Sequence, residues 1–271
     1  MKGKGQERTP SAFRIRKTEA LHEELRRILL ARLERARRFL GAYPREDAEG
    51  LHEARKDIKR LRSLLRLLRL PEQRKQRRRA NKVLRMAARR LSGRRDTEVL
   101  GALLGEIAAA GDPALRAAAR HAMQQLPEPS PHAADLSPED RGTAEKAFSE
   151  AENIVAKIPL QKLGKGALLK AWKQREKRRR RARKAFCADP SPENLHELRK
   201  RLKDSLYQRK LLRELLPKGK RSLKKTRRRE KALGKARDYD LLAEFLGKTD
   251  GMKPAHRERL FHYIRSHSRT F

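Results

Sequence analysis

Leu, Ile and Ala return every three or four residues along most of the chain, which is the spacing of one buried helix face. The strict alternation of strands is almost absent, and good helix formers fill the positions in between. This pattern predicts helices over residues 11–42, 48–70, 72–95, 97–110 and 113–126. Helices are expected again over 140–158, 163–187, 193–216, 218–236, 238–247 and 254–268. Between the two sets stand Pro127, Pro129, Pro131 and Pro138, too dense for any helix, so 127–139 reads as a linker. Ser191 before Pro192, and Asp112 before Pro113, are expected N-caps with proline in the first helical turn.

The two halves repeat each other. Leu51–Lys59 aligns with Leu195–Lys203, and Leu67-Leu68-Arg69 with Leu211-Leu212-Arg213, at an offset of 144 residues. Leu91, Arg95, Asp96, Val99 and Leu100 align with Leu233, Arg237, Asp238, Leu241 and Leu242 at an offset of 142. Composition bias scatters matches of Arg and Lys, but it does not place His-Glu and Arg-Asp correctly in both halves. The expected architecture is all-α, built from two repeated halves. The first would cover 13–126 and the second 140–271, both forming one larger domain behind a loose basic tail, 1–12.

On a helix, Leu51, Ala54, Ile58, Leu61, Leu65 and Leu68 share one apolar stripe. His52, Arg55, Lys59, Arg62, Arg66 and Arg69 have the same spacing shifted by one residue, which rotates them by about 100° into a basic row. In the second copy the row is His196, Arg199, Lys203, Lys210 and Arg213. Lys56 and Lys200 stand beside the two rows and join the candidate set. A row of cations along a rod ~30 Å long suits an extended anion with repeated charges. Acids are scarce on these rows, so salt bridges one turn apart do not account for them.

Charge strengthens this reading. Lys and Arg number 72 against 34 acids, a net charge of +38, and such an excess calls for a counter-charged partner. Cys187 is the only cysteine, which excludes an intramolecular disulfide and fits a cytoplasmic setting. No apolar run approaches the length of a membrane span, and Met1–Pro10 lacks the apolar core of a secretory signal.

His-x-x-Arg-x-x-x-Lys at 52–59 and 196–203, each followed by Leu-x-x-x-Arg-Asp at 91–96 and 233–238, resembles the CHAD (conserved histidine α-helical domain) family. The likeness covers roughly residues 12–268. It implies two four-helix-type bundles related by a pseudo-two-fold axis, with a basic groove that holds inorganic polyphosphate and, in some members, targeting to polyphosphate granules. The family's histidine falls on His52 and His196. Its basic positions fall on Arg55, Lys59 and Arg62, on Arg199 and Lys203, and on Arg95 and Arg237. Leu206 stands where the first copy has Arg62, so less charge is expected there. The Glu-x-Glu-x-Lys signature of the triphosphate-processing partner is missing, so that catalysis is not expected.

The remaining candidates add little chemistry. Four residues after each His stand Lys56 and Lys200, where a helical zinc motif needs histidine, and neighbouring cations repel a metal ion. No metal, cofactor or catalytic residue is therefore expected. Asp96 and Asp238 read as N-caps or as partners of nearby arginines. Lys82, Arg85, Arg89, Lys224, Arg228 and Lys231, on the helices after each His-Arg helix, are expected to extend the basic surface. Inorganic polyphosphate is the expected partner, with nucleic acid second because aromatic residues for base stacking make up only 4% of the chain.

Overall fold

The computed structural model describes residues 13–42, 47–91, 95–127, 136–216 and 219–268, without the side chains at 47–49, 95–96, 219–220 and 268. The expected tail and most of the expected linker lie outside them. The helices are α1 (Leu21–Ala42), α2 (Asp47–Leu65), α3 (Arg74–Arg90), α4 (Arg95–Ala110) and α5 (Pro113–Gln124). They continue with α6 (Pro138–Ala156), α7 (Lys165–Ala188), α8 (Pro192–Leu211), α9 (Gly219–Lys248) and α10 (Pro254–Ser268). No strand occurs among the described residues.

Most ends follow from local chemistry. Asp112 accepts from the Leu115 N–H at 2.8 Å and Ser191 from the Asn194 N–H at 3.5 Å, each with proline next in sequence. Ser137 caps α6 in the same way, accepting from the Asp140 N–H at 3.0 Å. This helix therefore begins inside the segment read as linker, because Pro138 suits a first turn that spacing alone counted as loop. The expected helix 48–70 stops at Leu65, since Pro71 pushes Leu70 to extended backbone. The expected helices 218–236 and 238–247 are one, so Asp238 lies in a helix interior and is no N-cap.

The expected helix 11–42 starts only at Leu21. Residues 13–20 form a strap in which Phe13 and Ile15 are both buried. The Ile15 N–H donates to the Leu211 carbonyl at 3.0 Å. Glu24, also buried, holds the strap: it accepts from the Arg16 backbone N–H at 2.9 Å and from the guanidiniums of Arg16 and Arg27 at 2.6 Å. Burial alone would raise its pKa, but the bonds from Arg27 and Arg16 overcome this and hold it at about 2, against the usual 4.5. The native carboxylate thus binds its proton less readily than the unfolded one. Its contribution is complete above pH 4.5 and is lost as pH falls toward 2. Glu24→Gln should flatten the acid limb of a stability-versus-pH curve in that window, and an unchanged limb would contradict the assignment.

The chain divides into two compact units, but not at the proline-rich segment. One unit takes residues 1–91 and 136–227, and the other takes 92–135 and 228–271. The expected boundary between 13–126 and 140–271 therefore does not match how the elements pack. In the first unit α6 packs on α1 and α3, α7 on α8, and α2 on α8. In the second α4 packs on α5 and α5 on α10. Each half of the sequence has apolar faces completed by the other half. The first core is built on residues such as Leu29, Ile58, Leu84, Phe148 and Leu168, and the second on Leu104, Ile107, Leu242 and Leu260. The helices carrying the duplicated His-Arg motif, α2 and α8, both belong to the first unit and cross through buried polar groups. Ser63 Oγ donates to the Asp204 carbonyl at 3.2 Å, and Gln208 Nε2 donates to the Ser63 carbonyl at 3.2 Å.

Candidate anion-binding site

On α2 the apolar stripe fills the core: Ala54, Ile58, Leu61 and Leu65 are fully buried. The basic row therefore turns away from it. Its C-terminal end runs into a dense group of arginines. Arg62 is pushed down to about 10, first by burial and then by Arg66, with Asp204 opposing and Arg85 and Arg89 adding repulsion. Arg175 on α7 is pushed down to about 10 by burial, again with Asp204 opposing and Arg66, Arg201 and Arg178 repelling. Both guanidiniums stay protonated at neutral pH, so the cost appears as a strongly positive local potential.

Seven arginines from α2, the turn after it, α3, α7 and α8 thus act on one another around one shared carboxylate. Asp204 is bonded by Arg66 at 2.5 Å and lies 3.9 Å from Arg175. Arg62 also donates through Nε to Asn81 at 3.2 Å, and Arg201 through Nε to Glu197 at 2.6 Å. Beneath the group, Glu176 is buried and ties α7 to α8. It accepts from Ser205 Oγ at 2.5 Å and pairs with Arg209, whose guanidinium sits 5.3 Å from the centre of the Trp172 ring. A network of this kind fixes the helices that present the arginines.

The other candidates are distributed as follows. His52, Arg55, Lys59, Arg199 and Lys203 are half-buried, whereas His196 is exposed. Lys56 bonds Glu53 at 2.5 Å and Lys200 faces Glu197 at 3.7 Å. Lys82, Arg85 and Arg89 are exposed on α3, as is Lys224 on α9. Arg228, Lys231 and Arg237 belong to the second unit, as does Arg95, whose side chain lies outside the described residues. Lys210 is not part of the arginine group around Asp204. It lines a cleft of about 300 Å³ with Arg32, Arg35, Arg60 and Arg213.

Arg175, Arg178 and Arg201 were not legible as site residues from the repeat. One signal for Arg175 was present: on α7 the stripe Leu168, Ala171 and Trp172 continues into Arg175 and Arg179, so an apolar face passes into a cationic one. Among the described residues no three His, Cys, Asp or Glu side chains are grouped to hold a metal ion. No helix among them is long and apolar enough to cross a membrane.

Comparison with known proteins agrees with the architecture. The fold is similar to the crystal structure of the CHAD domain from the plant Ricinus communis, with a TM-score of 0.62 and 21% identity over 95% of this chain and 89% of that one. No curated protein matches the sequence. The family model for the CHAD domain matches residues 19–247, and that span, containing both copies of the His-Arg motif, places this chain in the CHAD-domain family.

Proposed function

We propose that the protein binds inorganic polyphosphate along the cationic surface of its first unit, without turning the polymer over. The observation that carries this reading is the arginine group around Asp204, where seven guanidiniums from four helices and one turn gather about a single carboxylate. A phosphate chain placed there relieves the repulsion. Arginine forks grip successive phosphate oxygens in pairs, and exposed Lys82 and Lys224 add point charges. The resemblance of the two His-Arg motifs to the CHAD family, which implies a basic groove for polyphosphate, supports the same partner. The presence of α2 and α8 in one unit supports a pseudo-two-fold arrangement of the repeat. The same affinity would carry the protein to polyphosphate granules in the cytoplasm.

Polyphosphate is favoured over nucleic acid by what the surface lacks. Every described Phe, Tyr and Trp is at least partly buried, so none of the described rings stands open for base stacking. The reading is non-catalytic because the carboxylates beside the arginines, Asp204, Glu197 and Glu176, are each engaged by guanidiniums, which leaves electrostatic stabilisation as what the group supplies.

Titration calorimetry with long-chain polyphosphate at moderate salt should give a saturable heat, and incubation with Mg²⁺ or Mn²⁺ should release no phosphate. Absence of saturation would contradict binding. Steady release lost in His52→Ala would contradict the non-catalytic assignment.

A further inference from the structure

The repeat places Arg60 at the position of Asp204 and Lys210 at the position of Arg66. On one flank of α2 the corresponding contact is an ion pair, Arg66 to Asp204 at 2.5 Å. On the other flank the carboxylate is replaced by a guanidinium, so Lys210 and Arg60 line the same cleft as two cations. Arg60 and Arg62 are two residues apart and so point about 200° apart around the helix, which separates this cleft from the arginine group above.

The charges in the cleft do not balance. Arg14, Arg32, Arg35, Arg60, Lys210 and Arg213 line it. Asp57, fully buried, is already shared by Arg32 at 3.1 Å, Arg60 at 2.6 Å and Arg35 at 3.4 Å. Glu53 serves Arg35 and Lys56, and Glu214 serves Arg14. No carboxylate is left for Lys210 or Arg213 among the described residues. Arg60 Nε is buried without an acceptor, and Asp57 Oδ2 beside it is buried without a hydrogen-bond donor. Burial pushes the Lys210 ammonium down, and Arg60, Arg32, Arg227 and Arg213 push it further. A volume of about 300 Å³ is at the lower end for small-ligand pockets, large enough for a phosphate group with a small substituent.

We propose that this cleft is a discrete site for a small phosphate-bearing dianion, bound between Lys210 and Arg60 in the place that the Asp204 carboxylate occupies opposite Arg66. The phosphate oxygens would accept from the Lys210 ammonium and from the forks of Arg60 and Arg213. The inference rests on the cleft and the repeat, independently of the polyphosphate reading.

The test is thermal unfolding and calorimetry with inorganic phosphate and with glycerol phosphate, at ionic strength matched by chloride. Wild-type protein should show a saturable rise in Tm with at least one of the two. Response to both assigns the phosphate group alone as ligand, and response only to glycerol phosphate assigns a phosphomonoester. Lys210→Glu puts a carboxylate into the cleft, so it should raise the Tm without phosphate by about 2–4 °C and abolish the response. Arg213→Gln should weaken phosphate binding about tenfold while folding normally. Arg85→Glu/Arg89→Glu, on the other flank, should keep the phosphate response whatever it does to polyphosphate. Wild-type protein that answers phosphate no more than chloride, or a Lys210→Glu variant that keeps the response, would overturn the site.

Discussion

Asp57→Asn should cost about 3–5 kcal/mol of folding stability, the largest loss expected from any single uncharging in the molecule. Asp57 is fully inaccessible and Arg32, its partner at 3.1 Å, is 4% exposed. Arg60 and Arg35 close on the same carboxylate. Burial already lowers the pKa of Arg32, and attraction to Asp57 is what opposes that fall. Removing the negative charge leaves a buried guanidinium beside two others, with only Glu53 at the edge of the group. Glu214→Gln, which breaks a half-exposed pair with Arg14 at 3.4 Å, should cost less than about 1 kcal/mol. Urea unfolding of the two variants measures the contrast. Equal, small losses would mean that Asp57 does not organise the α1–α2 face.

Arg85→Glu/Arg89→Glu should weaken polyphosphate binding by about 10–100-fold. Both side chains are exposed on α3, so reversal does not disturb a core. Both also repel Arg62, so reversal relieves part of the repulsion on that guanidinium. Reversal of Lys157 and Lys162, equally exposed in the α6–α7 connection, should weaken binding far less. The contrast separates a located surface from diffuse attraction to a net charge of +38. Equal losses in the two double variants would favour the diffuse account.

Much of the fold was legible because the apolar stripes are long and regular. The stripe 54, 58, 61 and 65 is buried as its spacing predicts. Caps at Asp112 and Ser191 were readable because residue type and proline position agree. The strap was misread because Phe13 and Ile15 are spaced by two, an extended pattern that the neighbouring helix overshadowed. The division into units was hidden for a different reason. The repeat shows which segments correspond, but not which copy completes each segment's apolar face.

The site was legible to the same degree. The α2 row led to Arg62 and Arg66, which have i,i+4 spacing and reach the arginine group together. Arg175 and Arg178 come from a helix with no part in the matched blocks, and only packing brings them to Asp204. The α8 row carries Lys210 into a different cleft because its neighbour across the crossing is Arg60 rather than an acid. Side-chain identity at a single repeat position, rather than the spacing of the row, decides whether a flank of α2 carries an ion pair or two cations.

Competition measures the central claim most directly. Protein saturated with fluorescent long-chain polyphosphate at moderate salt is titrated with single-stranded DNA and with unlabelled polyphosphate, at matched phosphate concentration. A surface that holds a bare phosphate chain with arginine forks, and on which no described ring is exposed for base stacking, should release the label to polyphosphate and hold it against the single strand. Equal displacement by the two polymers would contradict it.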